Sequence, residues 1–177
     1  MWTPDLYQGA PAPVTGFVAT VSKGAVFAAL LRYIVMSDVL SNASVALGIS
    51  IIAVGSMVVG NLLALLEKNI KRILAFSSIA HVGYLLIALL VVAELDDPGI
   101  ARETTMVYLA GYFLMTLAAF GVISALSISS NGEDNEQLAD YQGLFWRHPI
   151  LAAVLTTAAL SLAGIPLTMG FIAKFYL

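Results

Sequence analysis

Two ionisable side chains lie in stretches of sequence that are otherwise almost entirely apolar. Lys23 is the tenth residue of the stretch 14–36, and His81 is the ninth residue of the stretch 73–93. A lysine at the centre of a membrane helix costs roughly 2.5–3.5 kcal/mol. Because burial disfavours the charged form, such a lysine can lose and regain a proton near neutral pH, where an imidazole also titrates. These residue types favour a buried proton or ion path.

A third candidate, Lys174, follows an interruption in the last apolar stretch. Gly164 and Pro166 interrupt residues 150–173, and Lys174 comes eight residues after the proline. Proline removes a backbone donor and clashes with the preceding helical turn, so it breaks the helix. Transporters use broken helices at their ion sites because the freed backbone groups line a cavity. We therefore expect Lys174 to belong to the same path; the alternative is a lysine that marks the end of a span.

Tyrosines accompany these groups at helical spacing. Tyr84 lies three residues after His81, on the same helix face, and Tyr108 and Tyr112 are four residues apart. We expect these three tyrosines to support a polar path. The alternative is that they, and His81, form hydrogen bonds that hold neighbouring helices together. For Lys23 the corresponding alternative is a salt bridge between helices.

The elements that must position these side chains are five long stretches nearly free of charge. They are residues 14–36, 43–66, 73–93, 104–128 and 150–173. Each exceeds the roughly 18 apolar residues that indicate a membrane-spanning helix, and a backbone in hydrocarbon must satisfy its own hydrogen bonds. The sequence predicts an all-α, polytopic transmembrane helix bundle. Its fifth span, residues 150–177, is predicted to be a discontinuous helix broken at Gly164 and Pro166.

The composition excludes several other classes of protein. Apolar residues make up 60% of the chain and charged residues 11%, against roughly 45–50% and 25% in soluble domains. The net charge of −3 offers no basic surface for nucleic acid. The sequence contains no cysteine, no dinucleotide-binding fingerprint and no HExxH motif. We expect no catalytic, cofactor-binding or metal-binding residue in this chain.

The connections between the spans predict the orientation of the bundle. Residues 67–72 contain the densest cluster of lysine and arginine, which the positive-inside rule assigns to the cytoplasm. Alternation then places residues 1–13 and 129–149 on the cytoplasmic side. The longer of these two connections carries apolar residues at near-helical spacing. We expect it to form an amphipathic segment at the membrane interface, with Tyr141 and Trp146 at headgroup depth.

Several long motifs resemble those of a known family, the antiporter-like membrane subunits of proton-pumping NADH:quinone oxidoreductase (respiratory complex I). They are WTPDLYQGAPAPV at 2–14 with SK at 22–23, NIKRILAFSSIAHVGY at 69–84, SLAGIP at 161–166 and GFIAKFY at 170–176. The resemblance covers essentially the whole chain. Sister subunits usually read WLPDA at the first motif, and the WTPDLYQGA of this chain favours the bacterial N-subunit branch.

The resemblance implies a subunit with two inverted repeats of five helices, in which discontinuous helices carry a lysine. Lys174 would be the lysine of the second discontinuous helix, Lys23 would link two half-channels, and His81 would belong to a central hydrophilic axis. Protons would pass along this relay, driven by quinone reduction in partner subunits of the translocase. Those partners would hold NAD, FMN, iron–sulfur clusters and quinone, while this chain would hold no redox centre.

The resemblance also implies a multi-pass protein of the bacterial inner membrane. It would contact lipid and other membrane-arm subunits, with protons as its cargo. Neither end of the chain resembles a natural terminus, and we expect a fragment of a larger membrane protein. Two alternatives remain open at this point. One is a subunit of a redox-independent cation/proton antiporter, and the other is an inert scaffold of the membrane arm.

Overall fold

The computed structural model describes residues 2–37, 39–94, 98–129, 136–166 and 168–175. Within these ranges the chain is almost entirely helical, and its only strand-like pairing is an isolated bridge between Asn69 and Gln137. Four of the described helices are long and apolar enough to cross a membrane, and Pro149–Ala163 is a shorter apolar helix. The predicted all-α polytopic bundle is therefore confirmed.

The helices follow one another along the described chain and pack side by side. They are α1 (Thr3–Gly9), α2 (Ala12–Phe17), α3 (Lys23–Ser37), α4 (Ala43–Leu66), α5 (Ile70–Glu94), α6 (Pro98–Ser129), α7 (Leu144–Arg147), α8 (Pro149–Ala163) and α9 (Met169–Phe175). Short 3₁₀ turns occupy Val39–Ser41 and Leu138–Tyr141. Helices α8 and α9 are the two halves of the helix whose interruption the sequence predicts.

The first span contains an irregular turn that sequence analysis did not anticipate. Between α2 and α3 the chain forms a π-helical turn over Val18–Ser22, and Lys23 follows immediately. The hydroxyl of Thr20 donates hydrogen bonds to the carbonyls of Gly16 (2.9 Å) and Phe17 (3.2 Å). Such bonds compete with the regular helical ladder, and π turns often occur at functional sites. The irregularity thus lies next to a candidate site residue.

Helices α4 and α5 form a tightly packed antiparallel hairpin. A Cβ added at Gly60 would lie 2.9 Å from the backbone nitrogen of Ala80, and one added at Gly83 would lie 2.7 Å from the carbonyl oxygen of Ala53. Small residues allow membrane helices to approach this closely. The hairpin fixes the position of α5, which carries His81.

The outer surface of the bundle is largely apolar, and its interior contains polar side chains among a majority of apolar ones. The outward face of α4 is apolar, and the side chains of Ile51, Leu62 and Leu65 are each more than half exposed. Buried positions, in contrast, include His81 and Thr105. Large apolar surfaces of this kind mark contact with lipid or with neighbouring helices rather than with water.

The connection before α8 is not one continuous helix. Gly143 has a φ of +70°, and it separates the turn at Leu138–Tyr141 from α7. Trp146 is 86% exposed, whereas Tyr141 is half-buried. The predicted amphipathic connection opens with a polar and acidic segment, residues 131–136, of which 131–135 lie outside the described residues.

Candidate functional site

The interruption between α8 and α9 supplies the partners of Lys174. Helix α8 ends at Ala163, and Gly164 adopts a left-handed conformation with a φ of +81°. Lys174 reaches back across the break, and its Nζ donates to the carbonyl oxygens of Leu162 (2.9 Å) and Ala163 (3.2 Å). The last carbonyls of a helix lack intrahelical donors, and a cation is favourable at that end of the helix dipole. The ammonium group of Lys174 therefore caps α8.

A second contact holds the two half-helices together. The backbone nitrogen of Gly170 donates to the Oγ of Ser161 at 3.2 Å. Gly170 also lies so close to the carbonyl of Ser161 that no side chain fits between them. Ser161 and Gly170 lie within the SLAGIP and GFIAKFY motifs, but neither is among the predicted site residues. This contact determines where α9, and hence Lys174, lies relative to the break.

His81 is buried among the three tyrosines that the sequence analysis associated with a polar path. Its Nδ1 lies 2.6 Å from the hydroxyl oxygen of Tyr108, which is a hydrogen bond. The ring of Tyr112 packs at a centroid distance of 5.1 Å and that of Tyr84 at 6.1 Å. Tyr108 and Tyr112 come from α6 and Tyr84 from α5. Two helices therefore build one aromatic and polar cluster around the imidazole.

The structure brings His81 and Lys174 to a common small cavity. The cavity has a volume of about 10 Å³ and is lined also by Tyr108, Tyr112 and Ser161. This volume is close to the roughly 10–15 Å³ that one water molecule requires, and polar groups surround it. The ammonium of Lys174 lies 4.7 Å from the centroid of the Tyr84 ring, a cation–π distance. A single bound water could thus connect the imidazole with the ammonium group.

A larger cavity opens on another side of the same pair. It has a volume of about 470 Å³ between α4, α5, α8 and α9. His81 and Lys174 line it together with Asn61, Ser77 and Tyr84. Its walls are otherwise apolar. The cavity has room for several waters beside His81 and Lys174.

Lys23 lies apart from this pair and lines neither cavity. Its Nζ donates a hydrogen bond to the Oγ of Ser78 and lies 5.5 Å from the centroid of the Tyr7 ring. Ser78 is buried on α5, one turn before His81. The three ionisable site residues therefore form two groups, one at Lys23 and one at His81 and Lys174, and α5 runs between them.

Two buried hydroxyls in this region have no hydrogen-bond partner within the described residues. They belong to Tyr7 and Tyr112. Burial raises the pKa of Tyr7 to about 12, so this phenol stays protonated at neutral pH. Unsatisfied buried hydroxyls are uncommon and call for an explanation, such as a bound water or a functional role.

Lys71 belongs to the positively charged connection 67–72, and its side chain is buried, which its place in a loop does not predict. It is 2% exposed, and its Nζ lies 3.2 Å from the Oε1 of Glu136. The same nitrogen donates to the carbonyls of Ala10 (3.1 Å) and Gln8 (3.4 Å). The lysine thus ties the N-terminal segment and the connection before α7 to the start of α5.

No group of three His, Asp or Glu side chains in the described part of the chain is arranged to hold a metal ion. The ionisable groups of the interior are instead lysine, histidine and tyrosine, enclosed by apolar helices and a broken last span. This combination defines a class: a multi-pass α-helical membrane protein with titratable side chains in its interior.

Comparisons with known proteins identify the family within this class. The family model described as NADH:quinone oxidoreductase/Mrp antiporter, TM, matches residues 1–177, and the chain belongs to this family. A chain of respiratory complex I from Thermus thermophilus, solved with bound aureothin, is similar, with a TM-score of 0.71 and 36% identity. The match covers 98% of this chain and 36% of that chain, so this chain spans about a third of its length.

Two predictions from the sequence are confirmed by these comparisons. The resemblance to antiporter-like membrane subunits of complex I holds in both the family match and the structural match. The helices and the relatives together also identify a multi-pass protein of the bacterial inner membrane.

Proposed function

We propose that this chain is part of the N-type, proton-translocating membrane subunit of an NADH:quinone oxidoreductase. Protons would move through a relay of Lys23, His81 and Lys174, driven by quinone reduction in partner subunits. Those membrane-arm and redox partners would hold NAD, FMN, iron–sulfur clusters and quinone. The observation that carries the proposal is the one-water cavity shared by His81 and Lys174 at the helix break.

The geometry of the cavity supports a proton transfer between His81 and Lys174. An N–H bond of the protonated imidazole breaks, its proton passes to a water in the cavity, and that water releases a proton to the neutral amine of Lys174, where a new N–H bond forms. Tyr108 remains hydrogen-bonded at Nδ1 of His81 and orients the ring. Because two positive charges in this apolar interior repel each other, the pair shares one proton more readily than it holds two.

The carbonyls at the end of α8 stabilise Lys174 at the break in both of its protonation states. They accept hydrogen bonds from its nitrogen whether the amine is charged or neutral, and they favour the charged form. The lysine can therefore change its protonation without moving away from the break. An electrostatic signal from partner subunits would then suffice to shift the proton.

The decisive experiment replaces Lys174 in the full-length parent protein, assembled in its complex. NADH oxidation and NADH-driven proton uptake are measured in inverted membrane vesicles, after assembly is verified on native gels. We expect Lys174→Ala to lower both rates at least severalfold while the complex stays assembled. Lys174→Arg retains a charge for the α8 carbonyls but does not release a proton, so it is expected to stay impaired. Lys68→Ala, which removes an exposed lysine, is the matched control.

Other outcomes would contradict the proposal in different ways. Normal rates in Lys174→Ala would make this lysine an anchor at the end of a span. Full activity in Lys174→Arg would mean that only the charge at the helix end matters. Loss of assembly in both variants, with normal turnover of the complexes that do form, would favour the scaffold alternative.

A redox-independent cation/proton antiporter is the second candidate, because the family description includes the Mrp antiporters. The same two lysines and the buried histidine would serve that reaction. Vesicles without NADH distinguish the two candidates. Proton movement that follows an imposed Na⁺ or K⁺ gradient would favour the antiporter, and proton movement that requires NADH oxidation would favour the oxidoreductase.

A further inference from the structure

Ser78 is the side chain to which Lys23 is hydrogen-bonded, and it was not among the predicted site residues. Its Oγ accepts the hydrogen bond from the Nζ of Lys23 and donates one to the carbonyl oxygen of Ala75 at 2.6 Å. The side chain is 2% exposed. A hydroxyl has one proton to donate and lone pairs that accept. Opposite a charged Lys23 the hydroxyl must accept, and its own proton is then directed to Ala75.

This arrangement changes when Lys23 gives up its proton. A neutral amine carries a lone pair and becomes an acceptor as well as a donor. The hydroxyl of Ser78 can then rotate from the carbonyl of Ala75 towards the nitrogen. The direction of the hydrogen bond between the two side chains thus depends on the protonation of Lys23.

The position of Ser78 also connects Lys23 with the group around His81. Ser78 and His81 lie one turn apart on the same face of α5. The unsatisfied hydroxyls of Tyr7 and Tyr112 both lie near enough to Ser78 to interact with it, although neither meets hydrogen-bond geometry. The Tyr112 ring packs in turn against the imidazole of His81. Ser78 therefore lies between the two groups of ionisable residues, hydrogen-bonded to Lys23 and one turn from His81.

We propose that Ser78 is a relay residue that passes the proton between Lys23 and His81 through the hydroxyl of Tyr112. The inference rests on the proposed function and extends it. A proton leaves the Nζ of Lys23 for the Oγ of Ser78 as the serine O–H proton passes to Tyr112. The Tyr112 O–H proton then passes to a ring nitrogen of His81. One N–H bond is lost at Lys23 and one is gained at His81, and both hydroxyls end as they began.

The test uses serine variants of the full-length protein in its assembled complex, with proton uptake and NADH oxidation measured in inverted vesicles. Ser78→Ala removes the hydroxyl without adding bulk, and it is expected to lower both rates about tenfold, since proton-transfer groups contribute at least this much. Ser78→Thr keeps the hydroxyl and is expected to stay within about twofold of the parent. The control is Ser127→Ala, because Ser127 is also buried and donates to a helix carbonyl, that of Ile123 at 2.7 Å.

A double variant separates a relay role from a structural one. If Ser78 acts through Lys23, then Lys23→Ala combined with Ser78→Ala is no slower than Lys23→Ala alone. If the double variant is slower than Lys23→Ala by the factor that Ser78→Ala alone causes, the proposal is overturned. A normal rate in Ser78→Ala, or equal losses of rate in Ser78→Ala and Ser78→Thr, would also overturn it.

The same set of variants distinguishes this inference from the proposed function. If Lys23→Ala pumps poorly but Ser78→Ala pumps normally, the inference about Ser78 fails and the relay through Lys23 stands. If Lys23→Ala pumps at the parent rate, the proposed function and the inference both fail.

Discussion

Gly164 and Lys174 touch each other across the break in the last helix. A Cβ added at Gly164 would lie 2.9 Å from the Cδ of Lys174 and 3.3 Å from its Nζ. Gly164 also has a φ of +81°, a conformation that costs other L-residues roughly 1–2 kcal/mol. Gly164 therefore has two roles: it terminates α8, and it leaves room for the side chain of Lys174, which caps α8.

The variant Gly164→Ala tests whether the space that Gly164 leaves for Lys174 is needed for proton uptake. We expect a net loss of about 1 kcal/mol in the free energy of unfolding, because the backbone strain is partly offset by the lower entropy of the unfolded chain. Proton uptake should fall severalfold because the new methyl group displaces Lys174. Gly143→Ala is the control: its φ is +70° and nothing lies within 4 Å of the added Cβ. Equal proton uptake in the two variants would show that the contact with Lys174 is irrelevant.

Glu136→Gln addresses the buried ion pair of Lys71. The substitution leaves an ammonium group that is 2% exposed without its carboxylate, and we expect the unfolding free energy to fall by about 2–3 kcal/mol. Asp5→Asn is the control, because Asp5 pairs with Arg72 at 2.6 Å but is 72% exposed, and such pairs contribute at most about 1 kcal/mol. Thermal unfolding of the detergent-solubilised full-length subunit measures both. A larger loss in Asp5→Asn would contradict the assignment.

The fold could be predicted from the sequence because the membrane restricts it so strongly. A backbone in hydrocarbon must be helical, and a charge there is costly, so charge-poor stretches delimit the helices. Because of the same cost, Lys23 and His81 can be recognised as candidate site residues from the sequence alone, without knowledge of the residues that they contact. The break at Gly164 was predictable as well, because the neighbouring Pro166 cannot continue a helix.

The contacts that build the site could not be read from the sequence. Lys23 and Ser78 are 55 residues apart, and Lys71 and Glu136 are 65 residues apart. Such pairs depend on how helices pack, which a single sequence does not encode in any local pattern. The π-helical turn before Lys23 is a similar case, because the β-branched residues of VATVS disfavour a regular helix without specifying a π turn.

Tyr108→Phe removes the hydrogen bond to His81 and leaves the shape of the cluster unchanged. The Nδ1 of the buried imidazole then loses its partner at 2.6 Å, and we expect a loss of about 1–3 kcal/mol in unfolding free energy. NADH-driven proton uptake should fall severalfold, since the ring is no longer oriented towards the cavity. Tyr33→Phe, at a position that is 57% exposed, is the control. If both phenylalanine variants pump normally, the hydrogen bond to His81 is only structural or dispensable.

Gly83→Ala tests the close packing of the hairpin that carries His81. The added Cβ would lie 2.7 Å from the backbone oxygen of Ala53, and a backbone atom cannot turn aside as a side chain can. Helices α4 and α5 must therefore separate, which costs about 1–3 kcal/mol by analogy with overpacked cores. Gly121→Ala on α6 adds a methyl group with nothing within 4 Å, so it is expected to be neutral or slightly stabilising.

Native gels of the assembled complex and thermal unfolding of the full-length subunit measure the two glycine variants side by side. Gly83→Ala should lower both the yield of complex and the unfolding temperature, and Gly121→Ala should lower neither. Because α5 positions both Ser78 and His81, separation of the hairpin should also reduce proton uptake in the complexes that do assemble. If Gly83→Ala lowers the unfolding temperature but leaves proton uptake at the parent rate, the relay tolerates a shift of α5. That result would contradict the proposed transfer, which depends on short distances around His81.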